Sequence, residues 1–307
     1  MEEQNEENLL TKVENTTENT TEKNAKKPFN QTRKFYILGF ILGLIILAII
    51  TFISMAIPST KVTKLGIYND HIQWSKFAFW NLMLITGFSY VACINNHRKN
   101  PFKGRGNRGY SEFFKLILIA QPLFWIAPIF VIAGKNDPDD PFNLLPRSYL
   151  SLVAYNFFSI ALFYLIGLQF THLDTGILHE IGNLVVFPKK WKLMNWKHIL
   201  TVFIILIVIL VFISVQFYFY FAKFTIPPTK IWLSSWFGGI ILIILISFLL
   251  RKTHETHLHH YFIFGYLMIF NCHFHPISSI SMGYCAGVFT EGISTWFVAP
   301  IWKKYRV

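Results

Sequence analysis

The chain is 307 residues long, 53% hydrophobic and 18% aromatic, with only 14% charged residues and a formal net charge of +12. A water-soluble domain carries about 25% charged residues, so the composition excludes an ordinary soluble fold. The basic balance does not mark a nucleic-acid binder, because the Lys and Arg residues sit in short loops between apolar runs, where they set orientation and meet lipid headgroups.

Residues 1–34 are polar and repeat Asn-Thr-Thr-Glu, so they bury no core and are expected to form a disordered cytosolic tail. The sequons at Asn15, Asn19 and Asn30 are unused if that tail is cytosolic. The first apolar run starts at Phe35 and is too long for the core of a cleavable signal, so it reads as a signal anchor. A spanning helix needs about 20 mostly apolar residues, and segments near 35–57, 76–95, 113–134, 149–171, 198–222, 231–250 and 277–299 qualify. An eighth, 256–274, is apolar only between Tyr261 and Cys272; it spans if His259 and His260 enter the membrane and is otherwise re-entrant or interfacial. Gly39 and Gly43 form a small-xxx-small pair for helix contact in the first span, and Gln121-Pro122 and Pro128 are expected to kink the third. Basic sets at 97–108, 189–197, 251–252 and 303–306 alternate with acidic or weakly charged loops, such as that of Asp137, Asp139 and Asp140. The fold class is therefore all-α, a polytopic bundle of about eight spans with both termini cytosolic. The three cysteines, Cys93, Cys272 and Cys285, imply no disulfide framework.

The richest polar stretch is His254-Glu255-Thr256-His257-Leu258-His259-His260. On a helix, His257, His260 and Tyr261 share one face, and Glu255 and His259 another. Imidazole is the commonest metal ligand, so His257, His259 and His260 are candidate ligands for Zn or Fe, with His172 and His179 as further candidates. The spacing matches neither His-Glu-x-x-His nor the His-x-x-His-His box of membrane di-iron enzymes; a metal-free protonatable cluster, or an interfacial amphipathic run, fits the same residues. In the last span Ser279, Gly283, Gly287 and Glu291 recur every four residues, so Glu291 shares a closely packed face open to another helix. If 256–274 and 277–299 form a hairpin turning at His275-Pro276, His260 and Glu291 lie at one depth, and His260 or His259 should be within hydrogen-bond or one-water reach of Glu291. Asp174 is a candidate base or orienter beside His172. Cys272-His273-Phe274-His275 suits soft metals but reads better as a loop without a ligand.

The run Thr256-His257-Leu258-His259-His260-Tyr261, followed by His275-Pro276-Ile277-Ser278, Gly283, Gly287, Glu291-Gly292-Ile293 and Trp296, resembles the C-terminal membrane region of multi-pass eukaryotic membrane proteins, some of which carry an LCCL domain. That resemblance implies a polytopic helical fold and no catalytic assignment, and this chain lacks a cysteine-rich LCCL-like domain. Three functions remain open on these residues: a structural or assembly role in which polar side chains lock helices, a metal-dependent membrane enzyme acting on lipid, and a transporter or proton relay. Membrane lipids and other membrane helices, through Gly39/Gly43 or Gly283/Gly287, are the expected partners; no nucleic acid is expected.

Overall fold

Apolar runs longer than a bilayer is thick can satisfy their backbone polar groups only by folding as helices, and helices dominate the computed structural model. It describes residues 29–58, 60–61, 71–72, 74–95, 108–134, 148–170, 195–222, 227–256, 258–296, 298 and 300–304. In chain order these are α1 (Phe29–Met55), a two-stranded ribbon of β1 (Thr60–Lys61) and β2 (His71–Ile72), α2 (Trp74–Tyr90) ending in a π-helical turn at Val91–Asn95, α3 (Arg108–Ile126) and α4 (Pro128–Val131). Then come α5 (Tyr149–Asn156), a π-helical turn (Phe157–Ala161), α6 (Leu162–Gly167), α7 (Trp196–Ala222) and α8 (Pro227–Leu250). The chain closes with β3 (His254–Thr256), α9 (His260–Phe270), α10 (Pro276–Trp296) and β4 (Trp302–Lys304). Two units divide it, residues 1–42 and 43–307, with α1 beginning in the first. The described part of the first unit is helical and exposes Ile37, Leu38, Ile41 and Leu42.

Among the described residues, five helices are long and apolar enough to cross a membrane: Phe35–Met55, Trp74–Ile94, Tyr149–Gly167, Trp196–Ala222 and Thr229–Leu250. The third expected span is a helix interrupted at Pro128, one of the two proline positions expected to kink it, while the helix continues through Pro122. Pro122 lies inside α3, the helix breaks at Ala127 (φ −136°, ψ −56°), and Pro128 opens α4, where its missing N–H costs nothing. The expected spans 256–274 and 277–299 differ from the rest. α9 has 11 residues, a rise of about 16 Å, half of what a bilayer requires. α10 has 21 residues but is rich in Ser, Thr and Gly and falls outside the five apolar helices.

α10 is the hub of the second unit, packing against α2, α3, α6, α7, α9 and the π-turn at 157–161. From Val288 to Ser294 every residue is buried. Its glycines explain how it comes so close to its neighbours. A Cβ at Gly283 would collide with the Ile160 carbonyl, one at Gly287 with the Tyr164 carbonyl, and one at Gly167 with the Tyr284 carbonyl. The four-residue period of the last span is thus a packing face, and it is filled by residues 160–167 of the same chain. Phe79, Trp80, Met83, Leu84, Phe124 and Tyr164 are among the buried side chains of this unit.

Buried polar groups fasten the helix ends. Asn156, fully buried, accepts from the Ala133 N–H at 3.0 Å and donates to the Ala133 carbonyl at 2.9 Å, closing the chain after α4 onto α5. Lys76, also buried, donates to the Ile129 carbonyl at 2.8 Å, which places the start of α2 beside α4. By contrast the apolar windows of α7 and α8 bury almost none of their residues. The two helices meet the rest of this unit through a cluster of Tyr220, Leu233 and Phe270 with Phe217, Trp232 and Trp236 around it.

Candidate functional site

Glu291 is the acid of interest, and its burial is complete. A carboxylate far from water requires partners, and one is the Thr295 hydroxyl, which donates to Oε1 at 2.9 Å. The adjoining turn carries a chain of side-chain bonds. Tyr164 donates its hydroxyl to Thr290 Oγ1 at 3.2 Å, Thr290 donates to the Ala286 carbonyl at 2.8 Å, and Ser294 donates to the Thr290 carbonyl at 2.6 Å. Further along α10, Gln216 of α7 donates to Ser278 Oγ at 2.8 Å, and Ser279 donates to the Val131 carbonyl at 3.3 Å and meets the Tyr155 hydroxyl at 2.9 Å. Polar side chains of α10 therefore reach α6, α7, α5 and the end of α4.

The histidine run is not built as its sequence suggests. His254–Thr256 is not helical; it is a strand paired antiparallel with β4, His254 opposite Lys304, Glu255 opposite Lys303 and Thr256 opposite Trp302. The helical face expected for Glu255 and His259 is corrected accordingly, because Glu255 lies in the strand and His259 is extended; the face expected for His257 with His260 and Tyr261 falls on a residue outside those described. The reason is a pairing distant in sequence. α8 ends at Leu250, where Arg251 and Lys252 leave the apolar helix, and the next residues find backbone partners in the returning C-terminal chain instead of a further turn. α9 then begins at His260, with His259 extended at its N-cap (φ −70°, ψ 146°) and making no side-chain cap.

His259 is half-buried and stacks its ring on Tyr261, with centroids 5.3 Å apart and planes at 10°. His254 Nδ1 and the Thr253 hydroxyl share a hydrogen bond at 2.8 Å. Among the described residues no group of three or more His, Cys, Asp or Glu side chains is placed to hold a metal. His257, His172, His179 and Asp174, and the His260 side chain, lie outside the described residues. The backbone still bears on depth. α9 and α10 are joined by a five-residue reversal at 271–275, Gly265 packs on the Phe289 ring, and Phe264 meets Tyr284 with ring centroids 5.9 Å apart. An antiparallel register with these contacts sets the start of α9 level with the turn of α10 that holds Glu291.

Cys272, His273 and His275 sit at the other end of this hairpin, where they act as packing partners of α7. Cys272 Sγ lies 3.1 Å from the Tyr220 hydroxyl, His273 stands edge-on to the Tyr220 ring at 4.5 Å, and His275 lies 4.9 Å from the Phe219 ring. The His275 Nδ1 accepts the Ile277 N–H at 3.2 Å. Burial lowers the His275 pKa from its ordinary value.

Sequence reasoning missed a second buried acid. Glu112, at the start of α3, pairs with Lys115 at 2.6 Å through Oε1 and accepts the Val298 N–H at 3.2 Å through Oε2. It fixes the chain leaving α10 to the start of α3. A lone carboxylate directly after the most basic loop was the available signal. No family model, no curated protein and no solved structure shows significant similarity to the chain.

Proposed function

We propose that this is a multi-pass integral membrane protein with a structural or assembly role, in which buried polar residues lock the helices in place and do not process a substrate. One observation carries the reading: α10 is enclosed by other helices, and its Ser278, Ser279 and Thr290 side chains bond to Gln216, Tyr155 and Tyr164 of its neighbours, while the buried Glu291 takes the Thr295 hydroxyl of α10 itself. In an apolar medium such bonds hold helices together where burial of apolar surface gives no advantage over lipid. The same reading takes the chain as eight membrane passes counting the α9–α10 hairpin as two, with a disordered tail at 1–34, both termini cytosolic and His259, His260 and Glu291 near the cytosolic face. It treats the likeness to the membrane region of LCCL-carrying proteins as a shared architecture. Lipid and neighbouring membrane helices are its partners.

A second reading, a proton relay or transporter, draws on Glu291 alone, since an intramembrane acid is by default a functional candidate. The two separate in proteoliposomes. Helix locking predicts that Glu291→Ala lowers the unfolding temperature more than Glu291→Gln does, with no proton flux that depends on residue 291. Flux abolished by Glu291→Gln, or stoichiometric Zn or Fe that disappears in a His257/His259/His260 triple alanine variant, overturns it.

A further inference from the structure

We infer that the end of α8 and the β3–β4 ribbon form a binding surface for one anionic phospholipid of the adjoining leaflet. The inference rests on the membrane placement of α8 and is independent of the assembly reading above. α8 is apolar over Thr229–Leu250, and beyond Leu233 none of its residues is buried, so its outer side chains face acyl chains. Near its end Leu245, Phe248 and Leu249 are all more than half exposed. The helix then stops, and Arg251 and Lys252, both exposed, follow at once. The Arg251 guanidinium lies over the Phe248 ring at 4.2 Å, so the cation is held at the rim of the apolar surface.

The ribbon adds a further cation from fifty residues away. β3 and β4 pair so that Lys304 stands opposite His254 and Lys303 opposite Glu255. Lys303 is thus matched in register by an acid, while Arg251, Lys252 and Lys304 give this corner an excess of three positive charges. Trp302 anchors the ribbon to the helix, donating its Nε1–H to Ser247 Oγ at 3.0 Å, and an indole at this level is what a membrane interface favours. An apolar track leading directly into a cation cluster has the two-part chemistry of a phospholipid with a net negative headgroup. A soluble phosphate would use only the cations, and a neutral lipid only the track.

Each cation near an anionic surface contributes on the order of 1 kcal/mol, or about fivefold in affinity. The test uses the purified full-length protein in detergent, with native mass spectrometry reading bound lipid and thermal unfolding reading fold. Phosphatidylserine is compared with phosphatidylcholine and with glycerophosphoserine, which has the headgroup and no acyl chains. The expected result is preferential binding of phosphatidylserine that falls about tenfold or more in the Arg251→Gln/Lys252→Gln/Lys304→Gln variant. Lys230→Gln, at the opposite end of α8, should leave it unchanged. Equal binding of the two lipids, retention of the preference in the triple variant, or equal binding of glycerophosphoserine overturns the inference. Should the triple variant fail to fold, the wild type decides: the preference must weaken between low and high salt as the Debye length shrinks, and a salt-independent preference is equally fatal.

Discussion

Glycines in this chain differ sharply in what surrounds them, and that difference can be measured. At Gly287 a methyl group would be driven into the Tyr164 carbonyl and the backbone of Gly167, and no side chain is there to rotate away. Gly287→Ala should destabilise by about 1–3 kcal/mol, the usual cost of overpacking. Gly238 lies in α8 with nothing within 4 Å of a Cβ, so Gly238→Ala should be neutral or gain up to about 1 kcal/mol of helix propensity. Unfolding of both variants in detergent checks the pair; equal effects would mean that α10 does not pack as described. His275 provides a pH-dependent counterpart. Its folded pKa is depressed by burial, so the unfolded chain takes up a proton first as pH falls. Its contribution to stability is full above about pH 6.5 and declines as pH drops from there through the folded pKa. His275→Asn keeps an acceptor for the Ile277 N–H but cannot titrate. The loss of stability between about pH 7.5 and 5.5 should be shallower in this variant than in wild type, and identical slopes would exclude His275 as a contributor.

At the level of elements, what could be read from sequence was whatever depends on neighbours in the chain. Apolar runs announced α1, α2, α7 and α8, prolines announced the break at Ala127, and the four-residue period of Ser279, Gly283, Gly287 and Glu291 announced the buried face of α10. β3 was not legible, because its partner is Trp302–Lys304 and no local pattern encodes a pairing across that distance. The shortness of α9, by contrast, was legible in the apolar core of Tyr261–Cys272, and the helix stops at Phe270 where the Asn271 N–H turns back to the Met268 carbonyl. Glu112 was missed for the same reason as β3: its acceptor role involves the Val298 amide, far along the chain. This tether predicts an asymmetric pair of variants. The Lys115 side chain is 46% exposed, so Lys115→Ala should cost less than about 1 kcal/mol. Glu112→Ala leaves the Val298 N–H without its acceptor and should cost about 1–3 kcal/mol. Glu112→Gln keeps a carbonyl oxygen at that point and should resemble Lys115→Ala. Hydrogen exchange at Val298 reads the difference directly: fast in Glu112→Ala, protected in the other two, with protection in all three removing the tether from the account.

Across the whole second unit, the contacts between helix ends define which ends share a side. The Tyr149 hydroxyl donates to the Phe52 carbonyl, joining the start of α5 to the end of α1, and Lys76 joins the start of α2 to α4. On the other side, Gln169 donates to the Tyr90 hydroxyl at 3.0 Å, joining the ends of α6 and α2, while Glu112 joins the start of α3 to the exit of α10. Because α9 and α10 leave from and return to one side, the C-terminus falls on the side of the α2 end whether or not the hairpin crosses fully. The side of the terminus therefore cannot decide between two spans and a re-entrant pair; the hairpin tip can. The protein carries its own reporters, since Cys93 is exposed at the end of α2, Cys272 is half-buried at the tip, and Cys285 is buried in α10. In sealed vesicles a membrane-impermeant maleimide should modify Cys93 from the cytosolic side and Cys272, more slowly because of its contact with Tyr220, from the opposite side. Cys285 should react only after unfolding. Mass spectrometry of the labelled cysteines separates the outcomes. Cys272 modified from the cytosolic side alone would make α9–α10 re-entrant and reduce the count of full crossings, whereas Cys93 modified from the opposite side would invert the whole orientation.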